Sequence, residues 1–454
     1  MQPAKTIVSK AGAAITALLW LSLAALLATP VEPQWRLSWT VGLLTLFVGA
    51  IVASFSLRYM RADRRANRFH LMLGLLVASV MAVVFAGNLL LLALAWCASG
   101  QLLAAMIGHS ADWDEARAAA RRTRAALLPG DVALIVALGL LAWHARSLRL
   151  EDALAAATTL PPALASVMAL LLLLAAAARC ALPPFSGWLL SSMTAPTPVS
   201  ALMHAGLVNA GGFLLIRFAP LMEAAPAVRA AAVLIGLCGA LYGIGIMMVR
   251  PDIKRSLAGS TVSQMGFMIM SCGLGAYAAA LWHLIAHGLF KAWLFLGSGS
   301  AIRQRSGSAQ VALPPAAPLV IVALTLAVAL GLFWTGEGTA ELVPLLLALA
   351  TALAMVTGAL GGKVPLRVKT LLLLPLVALA ALHAGGLSLA ADAVSDSTSP
   401  IMSDGALFAL LAVFLAAWLW QQRRLAARRI LPLPLYVHLM NAGGIAAMAK
   451  GELK

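Results

Sequence analysis

The chain has 454 residues, of which 62% are hydrophobic and 11% charged, with a mean hydropathy of +0.95 and a net charge of +16. A soluble domain cannot hide that much apolar surface, and repeated apolar runs of about 20 residues are the mark of membrane-spanning helices. Long Leu/Ala runs without alternation exclude a transmembrane β-barrel. The basic excess suggests nucleic acid on its own, but its distribution points elsewhere.

Spans are expected near 11–29, 37–57, 69–86, 88–108, 127–145, 163–190, 197–218, 227–249, 255–276, 278–302, 316–343, 344–360, 369–388 and 404–421. This is an all-α integral membrane protein of about 13–14 transmembrane helices. The first run leads straight into a second span, so it reads as a retained helix and not a signal peptide. With the N-terminus cytoplasmic, about 25 of the 32 Lys/Arg lie in or beside cytoplasmic loops, which fixes the orientation by positive-inside bias. The strongest signals are RYMRADRRANRF (58–69), RRTR (121–124), KVPLRVK (363–369) and RRLAARR (423–429), while the Ser/Asp-rich loop 392–404 falls outside. Segment 109–126 reads as a solvated loop with a polar helical pattern. Residues 1–421 form one polytopic membrane domain, and 422–454 a short basic cytoplasmic tail. Cys97, Cys180, Cys238 and Cys272 lie in or beside spans without paired spacing, so neither a disulfide framework nor a zinc motif is visible.

Two spans look broken. RCALPPF (179–185) carries Pro183 and Pro184, which remove backbone donors and push the preceding residue out of the helix. FWTGEGTAE (333–341) carries Gly336, Gly338 and Glu337. In the expected topology the two run in opposite directions, as in inverted-repeat transporters, with repeats roughly at 69–218 and 227–388. Non-helical backbone is tolerated at that depth only beside a cavity or under protein cover. The competing reading is that Pro and Gly are simply common in membrane helices.

Ionisable residues inside spans are costly, so each is informative. His283, His287 and Lys291 stand at i, i+4 and i+8, on one face and about 6 Å apart per step. Such a row can relay a proton with water between its members; the plainer alternative is interhelical hydrogen bonding. Arg179 at the first break cannot readily release a proton, which makes it a candidate either for a fixed charge that tunes a neighbour's pKa or for binding an anion. His204 follows the broken segment closely. Asp252, Lys254 and Arg255 open a span at its cytoplasmic end, where Lys254, Ser263 and Gln264 are candidates for proton entry. Glu337 and Glu341 are the carboxylates of the second broken segment, and Glu337 is a candidate exit. No P-loop, dinucleotide fingerprint, iron–sulfur cysteine cluster or haem-type histidine pair is visible. The driving energy must then come from an ion gradient or a partner.

PPFSGWLLSSMTAPTPVSALMHAGLVNAGGFLL (183–215), DIKRSLAGSTVSQMGFM (252–268) and HLIAHGLFKAWLFLGSGS (283–300) closely resemble the proton-translocating antiporter-like membrane subunit family. That family includes the large membrane subunits of complex I, Mrp antiporter subunits and the DabB branch of inorganic-carbon pumps. The resemblance runs from roughly 37 to 360 and implies a bundle of inverted repeats, each with a broken helix. It places Lys291 at the family's central lysine, His283 and His287 beside it, and His204 at a connecting position. It places Arg179 where a first-break lysine would stand and Cys97 where its paired glutamate would stand. The last lysine is replaced near Gly336 or Glu337.

These departures and the 192–215 stretch look most like the DabB branch. That likeness implies a non-enzymatic transport subunit of the bacterial inner membrane, with both termini cytoplasmic. It would conduct H⁺ or Na⁺ down its gradient to drive CO₂/bicarbonate accumulation by a DabA-like large zinc subunit on the cytoplasmic face. The zinc would be the partner's; no cofactor and no nucleic acid are expected for this chain, which is surrounded by membrane lipid. The alternative is a proton-pumping subunit of a complex I, membrane hydrogenase or Mrp-type assembly.

Overall fold

The computed structural model describes residues 9–298, 316–334, 342–360, 366–394, 397, 399–427 and 431–442. Apart from one isolated bridge between Asn88 and Arg149, the regular structure among these residues is helical. In chain order the helices are α1 Lys10–Ala28, α2 Arg36–Tyr59, α3 Ala66–Val84, α4 Leu89–Ile107, α5 Asp114–Ala145, α6 Leu150–Ala157, α7 Pro162–Arg179 and α8 Gly187–Leu190. They continue with α9 Thr197–Ala205, α10 Ala210–Arg217, α11 Ala219–Glu223, α12 Pro226–Val249, α13 Ile253–Leu274 and α14 Tyr277–Gly297. The last five are α15 Ala317–Trp334, α16 Leu342–Leu360, α17 Leu366–Ala391, α18 Asp404–Ala426 and α19 Leu433–Asn441. Among the described residues, ten helical segments are long and apolar enough to cross a membrane, and shorter apolar helical stretches lie at Ala317–Leu332, Leu342–Ala354 and Ala381–Ala391. The 22-residue α13 adds a more polar helix threaded through the same bundle.

Packing separates a dense interior from a lipid-facing periphery. The paired spans α9 and α10 are the most enclosed, 89% buried over their apolar window, against 22% for α1 and α18. The closest helix pair is α12 with α13. A Cβ on Gly236 would meet Gly266 O at 2.5 Å, one on Gly243 would meet Ser263 N at 2.3 Å, and one on Gly266 would meet Ala240 N at 2.4 Å. Small residues thus let two backbones touch, which is how membrane helices associate when burial from water offers no driving force. Helix α13 is held there with its other face turned to α9, α10 and α14.

Three expectations change. The polar stretch before the fifth span is not a loop, since α5 runs unbroken from Asp114 to Ala145 through Pro129. Its first turn carries Asp114 and Glu115, favourable at a helix N-terminus, and its alanines have high helix propensity. The span expected at 197–218 is two helices, parted at Gly206 and a 3₁₀ turn at Leu207–Asn209. The tail expected from residue 422 is also not wholly separate: α18 extends to Ala426, and α19 docks Leu439 against Gly245 of α12.

The first break is where Pro183 and Pro184 placed it. Helix α7 ends at Arg179, and Ala181 adopts a left-handed conformation (φ 54°), which costs a non-glycine residue about 1–2 kcal/mol. The freed α7 carbonyls find donors: Cys180 N to Ala176 O at 2.8 Å, Leu182 N to Ala177 O at 3.0 Å, and the Trp188 indole to Ala178 O at 3.0 Å. At the second interruption α15 ends at Trp334, and residues 335–341, Glu337 and Glu341 included, lie outside the described residues.

Candidate ion-translocation site

Two buried polar centres sit in the bundle. The first is built on the end of α7. The helix break projects the Arg179 side chain between α4 and α5, where it is 1% exposed. Its Nη1 donates to Ser99 Oγ at 3.0 Å and its Nη2 to Trp96 O at 2.9 Å, and the guanidinium lies 4.2 Å above the Trp96 ring. The charge is balanced by Asp131, whose Oδ1 is 3.4 Å from Nη2. Both side chains are buried, so neither charge is screened by bulk water. Arg179 is therefore not left with Cys97 alone; its counter-charge is an acid on α5. The sequence signal for Asp131 was available: it is the one acid in the run LLPGDVALIVALGLL.

The second centre is organised by α14. Lys291 is 1% exposed, and its Nζ donates to Leu257 O on α13 at 3.0 Å. Leu257 O also accepts from Thr261 Oγ1 at 3.1 Å. With that proton committed, Thr261 Oγ1 accepts from His204 Nδ1, 3.0 Å away. Neutral His204 then carries its hydrogen on Nδ1 and leaves Nε2 bare and without a partner among the described residues. The His204 ring stacks on Phe295 of α14, with centroids 4.2 Å apart and planes 7° apart.

One turn toward the N-terminal end of α14, the His287 ring lies within electrostatic reach of Lys291, His204 and His283. The His283 and His287 rings are 5.8 Å apart and nearly parallel, and His283 also meets Phe267 at 5.1 Å. Nε2 of His204, His283 and His287 all lack a partner among the described residues. The structure thus gathers Lys291, His287, His283 and His204 around one α9–α13–α14 seam.

The entry candidates separate. Lys254 is half-buried at the start of α13, within electrostatic reach of Tyr59. Gln264 presents its backbone to His283. Ser263 packs against Gly243 of α12, and at 100° per residue its side chain stands about 200° from Thr261, away from the row. Thr261, which links His204 to the Lys291 acceptor, was not singled out in the sequence. Its only signal is a position seven residues after Lys254, on the same helical face.

Close-packed spanning helices, a broken α7 and buried basic groups facing the bundle interior define a multi-pass, antiporter-like membrane subunit. The transmembrane profile of the NADH:quinone oxidoreductase/Mrp antiporter family matches residues 86–333, more than half of the chain. The chain belongs to that family.

It is 38% identical over 301 residues to the Halothiobacillus neapolitanus protein named "Probable inorganic carbon transporter subunit DabB1", covering 62% of this chain and 54% of that protein. It is 38% identical over 275 residues to a Bacillus subtilis protein of the same kind, DabB, covering 59% and 54%. It is 37% identical over 290 residues to NADH-quinone oxidoreductase subunit L of Mycobacterium tuberculosis, covering 62% and 46%. The matched region spans about half the length of these curated relatives. Among solved structures, the Mrp complex from Dietzia sp. superposes with a TM-score of 0.65 at 25% identity, over 96% of this chain and 56% of that one. An archaeal membrane-bound sulfane sulfur reductase shares the fold, with a TM-score of 0.59 at 15% identity, over 89% and 92%.

Proposed function

We propose that this chain is the membrane subunit of an energy-coupled inorganic-carbon transporter. It conducts H⁺ or Na⁺ down its gradient, and that flow drives CO₂/bicarbonate accumulation by a large zinc-containing, DabA-like partner at the cytoplasmic face. The observation that carries the reading is the buried amine and three imidazoles on one α14 seam. Ionisable groups at membrane depth are costly, and where they face a bundle interior they mark ion pathways. One charge moving through about 150 mV releases about 3.5 kcal/mol, which supports an accumulation of a few hundredfold at about 1.4 kcal/mol per tenfold. The likenesses to DabB proteins support the choice of substrate class.

In this reading the path runs through His204, Lys291, His287 and His283. Arg179 keeps its charge and is balanced by Asp131, so that pair holds a fixed field and does not load protons. Glu337 remains the proposed exit. The test is uptake of labelled inorganic carbon in cells carrying this chain with and without its partner gene, with and without an uncoupler. Uptake that needs both genes and collapses with the gradient supports the proposal; uptake indifferent to the uncoupler rejects it.

The 37% identity to subunit L keeps a second reading, an antiporter-like subunit of a redox-driven assembly. Affinity purification decides between them. A large zinc protein should accompany the chain in the first case, and quinone-oxidoreductase, hydrogenase or Mrp-type subunits in the second.

A further inference from the structure

Two adjoining cavities lie in the bundle, and the path above uses neither. The larger, of about 30 Å³, is walled by α2, α3, α9, α10 and α14, mostly by valine and leucine side chains. The smaller, of about 10 Å³, reaches the first buried centre and has Trp96, Ser99 and Arg179 in its wall. Val80, Val83, Leu207 and Ala210 line both, so the two share a wall. At about 10–15 Å³ for one water, the pair has room for a molecule of about three heavy atoms and not for a metabolite.

An orphaned polar atom belongs to the wall of each. Asn209 Nδ2 is spent on Ala205 O and Leu284 O, and its buried Oδ1 has no partner among the described residues. The Arg179 fork is spent on Ser99 Oγ, Trp96 O and Asp131, and its buried Nε–H has no partner among them either. Buried polar groups are seldom left unpaired, and a ligand that meets them is one reason for an exception. Apolar walls with a few polar groups are the ordinary make-up of a small-molecule site.

Charge and polarity narrow the occupant. Arg179 is already balanced by Asp131 at 3.4 Å, so an anion such as bicarbonate or chloride would add an uncompensated charge to a buried pair. Walls of valine and leucine suit a molecule without a net dipole, since such cavities stay dry. The free N–H calls for an acceptor oxygen, and the free amide oxygen for an electron-poor atom. Carbon dioxide answers each demand: it is small, neutral and without a dipole, its oxygens accept and its carbon is electron-poor. It also dissolves in hydrocarbon, so it reaches the bundle from the lipid without a polar inlet.

We propose that the paired cavities are a binding site for carbon dioxide, with Arg179 Nε–H offered to an oxygen and Asn209 Oδ1 to the carbon. The choice of ligand rests on the inorganic-carbon reading. Binding is reversible and breaks no bond; hydration belongs to the partner.

The test is infrared spectroscopy of the full chain in lipid vesicles equilibrated with isotopically labelled carbon dioxide. A saturable antisymmetric-stretch band should stand apart from that of the gas dissolved in protein-free vesicles, in a region where bicarbonate does not absorb. Val80→Phe and Ala210→Leu fill the shared wall from α3 and from α10, and each should abolish the band at unchanged thermal stability. Nitrous oxide, a neutral linear isostere, should displace it, and chloride should not. Arg179→Lys keeps the charge, lacks the Nε–H and should move the band. The absence of a saturable band, a band that survives both filling variants, displacement by chloride, or an unmoved band in Arg179→Lys overturns the site.

Lys291→Ala keeps the two levels apart, since it should retain the band while losing gradient-driven uptake. A dead Lys291→Ala, with no band even in the parent chain, sinks the site and leaves the translocation reading standing. A fully active Lys291→Ala with the band intact does the reverse.

Discussion

Asp131 shows what a cross-helix contact can hide from a sequence. It lies 48 positions before Arg179, and no periodicity links residues on α5 and α7. The reading that put Arg179 opposite Cys97 had a family pattern behind it but no geometry. The consequence is testable. Asp131→Asn strips the counter-charge from a buried guanidinium and should cost about 3–5 kcal/mol, the usual penalty for breaking such a pair from one side. Thermal unfolding of the detergent-solubilised protein should show it, and an unchanged transition would mean the pair contributes nothing. Cys97→Ala should leave both stability and transport nearly unchanged.

Outside the membrane, Asp63 in the turn after α2 offers a pH test. Partial burial acts to raise its carboxyl, but the Arg65 N–H at 2.6 Å and the His109 ring at 3.0 Å outweigh that and hold it below the ordinary value. A depressed carboxylate favours the folded state above its unfolded pKa, about 3.9, and loses that contribution as pH falls through the folded value. The solubilised protein should therefore lose stability below about pH 4, with a shallower slope in Asp63→Asn. Identical slopes would remove Asp63 from the account.

At the scale of elements, the α7 break was legible because two consecutive prolines forbid helix, and the α14 row because one helix carries all three residues at multiples of four. The α9–α10 break was not legible. Gly206 looks like any membrane glycine, and the lost helical bonds are repaired by a side chain: Asn209 Nδ2 donates to Ala205 O at 2.8 Å and to Leu284 O at 3.4 Å. Likewise α5 was cut short because charge in its first turns resembles a solvated loop.

The α13–α14 turn makes an element-level prediction. Gly275 sits at φ +86°, and a Cβ there would lie 2.3 Å from Ser397 Cβ and 2.4 Å from Arg229 Nη2. Arg229 is fully buried and ties the turn together through Gly273 O, Leu274 O and Glu223, which also accepts from Tyr277 at 2.8 Å. Gly275→Ala should cost at least about 1–2 kcal/mol from backbone conformation alone, with the clash added. A variant as stable as the parent would show that the turn is free to rearrange.

At the scale of the molecule, hydropathy sufficed for a multi-pass helical bundle, and three long motifs sufficed for the family. What they could not supply was which polar groups meet, because contacts between α4, α5, α7, α9, α13 and α14 are set by packing. The central claim is that a cation passes the α14 seam and powers a partner's chemistry. It is tested most directly by gradient-driven uptake of labelled inorganic carbon with Lys291→Ala in the assembled complex. The account predicts uptake reduced to the level seen with an uncoupler, at unchanged complex yield; wild-type uptake by an intact Lys291→Ala complex would contradict it.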